Sequence, residues 1–218
     1  MKNIKEALKI VFFGTPEFAS FCLQELFSNG FIIKGVVTAP DRKAGRGKKF
    51  KKSAVKNYAE INGFPIYQPE NLKSVEFVKD LRKIGADAFV VVAFRMLPKL
   101  VWSIPNLGTI NLHASLLPNY RGAAPINWVL INGEVSTGVT TFLINEQIDT
   151  GLILMQKEIF ISKTDNMETL SNKLLNIGAQ ILIKTLLGLK KKLIIPVFQK
   201  PRGNEKLAFK LTKENTMI

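Results

Sequence analysis

The sequence has only one cysteine and one histidine in 218 residues, and this scarcity excludes several kinds of site. A single cysteine, Cys22, cannot form a disulfide within the chain, which fits a protein of the reducing cytosol. A zinc cluster needs several cysteine or histidine ligands, so we expect no metal centre. Cys22 lies in an apolar helical pattern, which favours a core position for it.

Long hydrophobic runs are also missing. No segment reaches the roughly 20 apolar residues that span a bilayer, and the first residues lead directly into a short strand without the features of a signal peptide. We therefore expect a cytoplasmic protein that does not contact membranes. Hydrophobic residues still make up 46% of the chain, which is enough for a sizeable core in one large domain.

Acidic residues are few, with 17 against 31 lysines and arginines, and the net charge is +14. This excess favours a polyanionic partner, most simply a nucleic acid. AT-rich coding, which enriches lysine, isoleucine and asparagine, is the competing explanation. The cations are densest in the basic loop, residues 40–52, where one acid, Asp41, faces seven of them: Arg42, Lys43, Arg46, Lys48, Lys49, Lys51 and Lys52. Its glycines predict a flexible loop.

Short apolar strands alternate with amphipathic helices along most of the chain. Strands are predicted over 9–13, 31–38, 65–67, 88–93, 109–113, 138–143 and 152–160, and helices over 17–29, 53–62, 74–84 and 166–189. Repeated strand–helix–strand units predict an α/β fold with an open, doubly wound, mostly parallel sheet. Ligands bind such sheets at the carboxyl ends of the strands.

Asn111 and His113 lie at such a strand end. They are two residues apart, so both side chains project from the same face of the strand. An amide donor beside an imidazole can stabilise an oxyanion and transfer a proton, which indicates acyl-type chemistry. Asp149, in a loop between two later strands, is the candidate carboxylate, and Glu146 is its nearest rival.

Two further segments bear on the substrate. The first strand–helix turn has Gly14 but lacks the other glycines of a dinucleotide fingerprint, and Glu17 disfavours a phosphate at the helix start. Gly14 can still bring the backbone close to a substrate. Arg121, followed by Pro125 at the start of a helix, predicts an anion-friendly helix N-terminus.

Taken in order, these motifs resemble those of the methionyl-tRNA formyltransferases over nearly the whole chain. The matching segments are 13–19 (FGTPEFA), 40–42 (PDR), 44–49 (AGRGKK), 68–70 (QPE), 111–113 (NLH), 115–118 (SLLP), 120–126 (YRGAAPI), 131–134 (INGE), 137–140 (TGVT), 149–151 (DTG) and 211–214 (LTKE). The chain departs from the family pattern at Ala114, at Leu152 and in a pocket segment around residues 94–97 that is one residue shorter.

The resemblance implies a Rossmann-like formyltransferase fold and transfer of the formyl group of 10-formyltetrahydrofolate to the α-amine of initiator methionyl-tRNA, a step of translation initiation, without a metal. The implied catalytic residues are Asn111, His113 and Asp149. The implied folate contacts are Ser115, Leu116, Leu117, Pro118, Phe94, Met96 and Leu97. The implied substrate and tRNA contacts are Gly14, Thr15, Pro16, Arg42, Lys43, Arg46, Lys48, Lys49 and Arg121.

By the same resemblance, residues 1–189 form the catalytic domain and residues 190–218 a basic tail or linker. The C-terminal barrel domain that family members use to hold tRNA is expected to be missing, either because the chain is a fragment or because the enzyme is naturally shortened. A monomer is expected. The alternatives are a formyltransferase acting on glycinamide ribonucleotide or on an amino-sugar nucleotide, and an inactive remnant that binds tRNA.

Overall fold

A computed structural model describes residues 7–44, 49–201 and 203–215 of the protein. Its centre is a sheet of seven strands, of which five are parallel: β1 (Lys9–Gly14), β2 (Ile32–Val37), β5 (Ile66–Tyr67), β6 (Ala88–Val92) and β7 (Thr109–His113). Two antiparallel strands, β9 (Ser136–Leu143) and β10 (Ile153–Phe160), extend the sheet beyond β7. The strand order is β10-β9-β7-β6-β1-β2-β5.

Helices cover both faces of this sheet. One face packs against α1 (Glu17–Ser28), α2 (Ala54–Ile61), α5 (Pro125–Ile131) and α6 (Met167–Lys190), and the other against α3 (Val75–Ile84) and α4 (Lys99–Trp102). Each face has its own hydrophobic cluster. Strand β6 lies between the two clusters and is buried along its whole length, which explains why its sequence is a continuous apolar run.

Local sequence signals set the helix ends. The side chains of Ser53, Ser74 and Asn166 accept backbone hydrogen bonds in the first turns of α2, α3 and α6, satisfying amide groups that a helix start leaves unpaired. Gly85 ends α3 in the left-handed conformation that glycine adopts without strain.

The predicted fold class, an open, doubly wound and mostly parallel α/β sheet, is confirmed by this topology. The predicted strands and helices agree with the observed ones to within two residues at their ends. Among the described residues, no helix combines the length and the apolar composition needed to cross a bilayer.

The basic loop was predicted to be flexible, and its flanks instead pair as a short antiparallel hairpin of β3 (Arg42–Ala44) and β4 (Lys49–Lys51). Asp41 fixes the base of this hairpin, because its carboxylate accepts hydrogen bonds from Lys56 and Gln68. Residues 45–48, which include the predicted contacts Arg46 and Lys48, lie outside the described residues.

The segment after α6 corresponds to the predicted basic tail or linker. Its described part packs back onto the domain: Val197 pairs with Ile153, and β11 (Leu207–Ala208) forms a parallel pair with β8 (Arg121–Gly122). Ala208 is fully buried. The sequence pattern missed these contacts because each strand is only two residues long. The domain boundary at residue 189 stays a prediction.

Candidate active site

Asn111 and His113 project from the same face of β7, at its carboxyl end. Asn111 stands in register with Val91 of β6 and Phe142 of β9, so it lies in the middle of the sheet. Leu112 faces the opposite side, where it packs closely against Gly178 of α6. The two polar side chains are therefore carried by a strand that is held on both edges and on both faces.

A hydrogen bond to the backbone fixes the ring of His113. The ring nitrogen Nε2 lies 2.8 Å from the carbonyl oxygen of Tyr120. A carbonyl oxygen can only accept, so Nε2 must carry the hydrogen, and in the neutral ring Nδ1 is the unprotonated nitrogen. Tyr120 has a positive φ of 60°, and this left-handed backbone is part of the turn that brings its carbonyl to the ring.

Asp149 approaches the other ring nitrogen. It lies in the loop between β9 and β10, and its Oδ2 accepts a hydrogen bond of 2.9 Å from the amide of Gly122. The same oxygen is 3.7 Å from Nδ1 of His113, with side-chain exposures of 12% and 8%. This separation is too long for a hydrogen bond. In the neutral ring Nδ1 is an acceptor, as the carboxylate of Asp149 is, so the two groups present acceptor atoms to the same space.

A cavity of about 710 Å³ opens beside these three side chains. One part is apolar and is lined by Val91, Phe94, Leu97, Phe142, Ile144 and Ile148. The other part is bordered by the N-terminal ends of α1 and α5, at residues 16–18 and 123–127. Asn111, His113 and Asp149 line the same cavity, so the structure brings the predicted catalytic residues together in one space.

The predicted folate contacts divide into two groups. Phe94, Met96 and Leu97 line the main cavity. The other group does not reach it: Ser115 is fully buried, where its hydroxyl donates to the carbonyl of Asn119, and Leu116, Leu117 and Pro118 line a second, polar cavity. This segment turns away at the end of β7, and its folate contact stays a prediction.

The predicted substrate contacts do not all line the main cavity. Pro16 lines the main cavity, and Thr15 precedes it. Gly14 is buried where a Cβ atom would collide with Ala19, so its role is close packing. Arg121 donates to the carbonyl of Asp149.

The base of the hairpin is connected to the wall of the cavity through residues 68–70: Gln68 donates to Asp41, and Arg95, which lines the cavity, donates to the carbonyl of Glu70. The pKa of Arg95 is lowered by burial and then by the charge of Arg42. Lys43 and Lys49 belong to the paired backbone of the hairpin, and their side chains lie outside the described residues.

Sequence reasoning missed a polar cluster behind the histidine. The hydroxyl of Tyr120 donates to Glu134, and Nζ of Lys206 lies 2.7 Å from the same carboxylate oxygen. The hydrogen bond from Lys206, and then that from Tyr120, hold the pKa of Glu134 below its ordinary value. The residues are far apart in the chain, so no local pattern indicated the cluster.

It also missed Gln199. Its side-chain amide donates to the carbonyls of Asp149 and Gly151 and accepts from Arg121. The only feature of the sequence that indicated such a contact is the Asp-x-Gly turn at residues 149–151, because the backbone groups of this turn need hydrogen-bond partners. Within the described ranges, no group of three or more histidine, cysteine, aspartate or glutamate side chains could hold a metal ion.

Comparison with known sequences places this geometry in context. Residues 8–186 match the family model described as formyl transferase. A methionyl-tRNA formyltransferase of Flavobacterium johnsoniae is 51% identical over 213 residues, which are 98% of this chain and 68% of that protein. One of Bacteroides fragilis is 53% identical over 182 residues, which are 84% of this chain and 56% of that protein. The chain thus spans between about half and two thirds of these relatives.

Solved structures share the fold at lower identity. Glycinamide ribonucleotide transformylase 1 from Symbiobacterium toebii has a TM-score of 0.75 at 15% identity and covers 89% of this chain and 95% of its own. An N-formyltransferase from Helicobacter canadensis, solved with folinic acid and dTDP-3-aminofucose, has a TM-score of 0.70 at 22% identity and covers 93% and 71%. Both show that the sheet and its helices form a formyltransferase-type, Rossmann-like fold.

The polar cluster predicts a pH-dependent contribution to stability. A carboxylate with a lower pKa in the folded chain contributes stability that is fully present above its unfolded pKa, roughly 4.3, and lost as the pH falls through the folded value. We expect Glu134→Gln to lower the free energy of unfolding at pH 7 by roughly 0.5–1 kcal/mol, as for other partly exposed ion pairs. Urea denaturation at pH 7 and pH 3 measures this difference, and an equal loss at both pH values would contradict it.

Proposed function

The chain belongs to the formyl transferase family, and on this premise we propose that it transfers the formyl group of 10-formyltetrahydrofolate to the α-amine of initiator methionyl-tRNA. The observation that carries the proposal is the meeting of Asn111, His113 and Asp149 in one cavity. The relatives at about half identity, which are methionyl-tRNA formyltransferases, support the choice of acceptor. The proposed site of action is the cytoplasm, with the chain as a monomer.

The apolar part of the cavity is the proposed folate site. Its walls, Phe94, Leu97, Phe142 and Ile144, suit the faces of a heterocyclic ring. Met96 is 64% exposed at the rim and is free to pack against a bound ligand. The Helicobacter canadensis enzyme, solved with folinic acid, is a similar fold that holds a folate. The other predicted folate contacts, Ser115–Pro118, follow directly after β7.

The amide of Asn111 is the proposed oxyanion donor. Attack of the amine nitrogen on the formyl carbon forms a C–N bond and pushes the carbonyl electrons onto oxygen. The side-chain N–H of Asn111 can donate to that oxygen, and a donor of this kind is worth about 3–4 kcal/mol of barrier in other enzymes. The position of Asn111 in a held strand supports the role, since such a donor must be fixed before the charge develops.

His113 and Asp149 are the proposed proton carriers. The nucleophilic nitrogen loses a proton after attack, and the leaving N10 of the folate gains one when the old C–N bond breaks. Because Nε2 of His113 is engaged by Tyr120, Nδ1 is the ring nitrogen that can take part. Asp149 faces Nδ1 and can accept the amine proton directly or through water.

The basic hairpin is the proposed contact with the acceptor arm of the tRNA. Arg42 is exposed and its charge acts on Arg95 of the cavity lining, and Lys51 and Lys52 continue the cationic surface. Contacts with phosphates give affinity without sequence preference and weaken steeply with salt. Pro16, Thr15 and the neighbouring Arg121 complete the proposed acceptor side of the cavity.

A small phosphorylated amine is a less favoured acceptor. Glu17 lies in the first turn of α1 and lines the cavity. Its carboxylate occupies the helix end at which a phosphate would otherwise bind. The structural likeness to glycinamide ribonucleotide transformylases rests on 15% identity and concerns the fold.

One assay tests the acceptor. Formyl transfer from 10-formyltetrahydrofolate is measured with charged initiator tRNA, glycinamide ribonucleotide and an amino-sugar nucleotide in parallel. We expect product only with the tRNA. Transfer to either small amine at a higher kcat/KM would contradict the proposal, and binding of tRNA without any transfer would identify an inactive remnant.

Changing the carboxylate tests the catalytic assignment. Asp149→Asn keeps an oxygen that can accept from Gly122, so the fold should be retained. We expect kcat to fall by about 10²–10⁴-fold, because the variant cannot take a proton. Glu146→Gln is the matched control on the same loop: its carboxylate pairs with Lys99 at the surface, and we expect a change of less than about twofold, within the usual range for surface sites. Equal effects of the two substitutions would contradict the assignment.

Changing the hairpin tests the tRNA contact. We expect Arg42→Ala to raise KM for the tRNA, to leave KM for the folate unchanged, and to reduce the slope of log affinity against log salt by about one phosphate contact. Lys184→Ala, an exposed lysine on α6, is the control and should leave both constants unchanged. Filter binding across a salt series measures the slope, and the same slope in both variants would exclude Arg42 as a contact.

A further inference from the structure

After α6 the chain contacts the loop of Asp149 and the loop of Tyr120. We call the described residues of this segment, 197–201 and 203–209, the C-terminal strap. At one end, Val197 forms two backbone hydrogen bonds with Ile153 at the start of β10. At the other end, β11 pairs with β8. The matched family segment ends at residue 186, so the strap lies outside it.

Gln199 is the strap residue that contacts the catalytic loop. Its Nε2 donates to the carbonyl of Asp149 at 2.8 Å and to that of Gly151 at 2.9 Å. Its Oε1 accepts from Nη2 of Arg121 at 2.5 Å and from Nε at 3.1 Å. The side-chain amide of Gln199 thus connects the two loops: it donates to the loop of Asp149 and accepts from Arg121, which follows Tyr120.

The backbone of Asp149 is left-handed, with a φ of 53°. Aspartate enters this region more readily than most residues other than glycine, and here hydrogen bonds hold it there. Its carbonyl receives two donors, Nε2 of Gln199 and Nε of Arg121. These bonds hold the peptide in the orientation that points the carboxylate towards Gly122 and His113.

Residues 206–208 of the strap bind the segment around Gly122, whose amide donates to the carboxylate of Asp149. Tyr120, whose carbonyl fixes His113, donates its own amide to the carbonyl of Lys206. Ala208 accepts from the amides of Ala123 and Ala124. A Cβ on Gly122 would lie 2.4 Å from the carbonyl oxygen of Ala208, so only glycine fits there.

We propose that Gln199 is a positioning residue of the formyl transfer reaction: it holds Asp149 in place opposite Nδ1 of His113, where the carboxylate can accept the amine proton. The inference rests on the proposed function. Gln199 touches neither substrate nor the reacting atoms, and it acts through the backbone of Asp149.

Two substitutions separate positioning from packing. Gln199→Glu keeps the shape and the acceptor for Arg121 but removes the donor to Asp149 and Gly151. Gln199→Leu removes every hydrogen bond. We expect kcat to fall by about 10- to 100-fold in both, as for small misplacements of reacting groups, while KM for folate and tRNA changes by less than about twofold. Phe198→Ala, an exposed neighbour on the same strap, should leave kcat unchanged.

A double variant tests whether Gln199 acts through Asp149. If it does, adding Gln199→Leu to Asp149→Asn causes no further loss of kcat, because residues that act as one unit are not additive. Independent, additive losses would overturn the proposal. So would an unchanged kcat in Gln199→Glu, or a loss that tracks a fall in thermal stability and a rise in both KM values.

Crystal structures of the wild type and Gln199→Leu test the same point without activity. We expect the distance from Nδ1 of His113 to Oδ2 of Asp149, 3.7 Å here, to increase by roughly 0.5 Å or more, the tolerance of a catalytic arrangement. An unchanged distance would overturn the positioning role. If the wild type transfers formyl to none of the acceptors, the proposed function fails, while this distance still decides the role of Gln199.

Discussion

The site depends on one hydrogen bond, from Nε2 of His113 to the carbonyl of Tyr120. It decides which ring nitrogen carries the hydrogen, and therefore which nitrogen faces Asp149. The carbonyl is available only because the chain turns through a left-handed residue at Tyr120. That turn is held by the strap, by Glu134 and by the neighbouring strand pair. The chemistry proposed for the cavity follows from the orientation of this single ring.

The sheet and the loops contribute different residues to the site. The sheet fixes Asn111 and His113 in β7, between β6 and β9 and between two packed faces. The loops bring the remaining groups. Ala93 and Asp149, both in left-handed backbone, line the cavity, and Tyr120, also left-handed, holds the ring of His113. Such conformations persist only where the surroundings hold them. At Asp149, hydrogen bonds from Gln199, Arg121 and Gly122 stabilise this conformation.

Much of the fold could be predicted from sequence, because periodicity and caps are local signals. The burial of β6 appears as five successive apolar residues, and Asn166 marks the start of α6. The pairing of Asn111 with His113 follows from strand alternation alone. The position of Asp149 in a loop between two strands made it the candidate carboxylate with Glu146 as a rival, and the resemblance to a known family favoured Asp149.

The rest could not be predicted because it depends on contacts between distant segments. Gln199 lies 50 residues from Asp149, and its surroundings read as a basic, irregular stretch. The placement of Ser115–Pro118 depends on the turn after β7, which sends these residues to the far side of the strand end. The most direct test of the account is ¹⁵N NMR of the imidazole, since His113 is the only histidine in the chain. In the neutral ring, the hydrogen is expected on Nε2, with Nδ1 unprotonated. A neutral ring with its hydrogen on Nδ1, or the averaged signals of a free imidazole, would contradict the tautomer inferred from the structure.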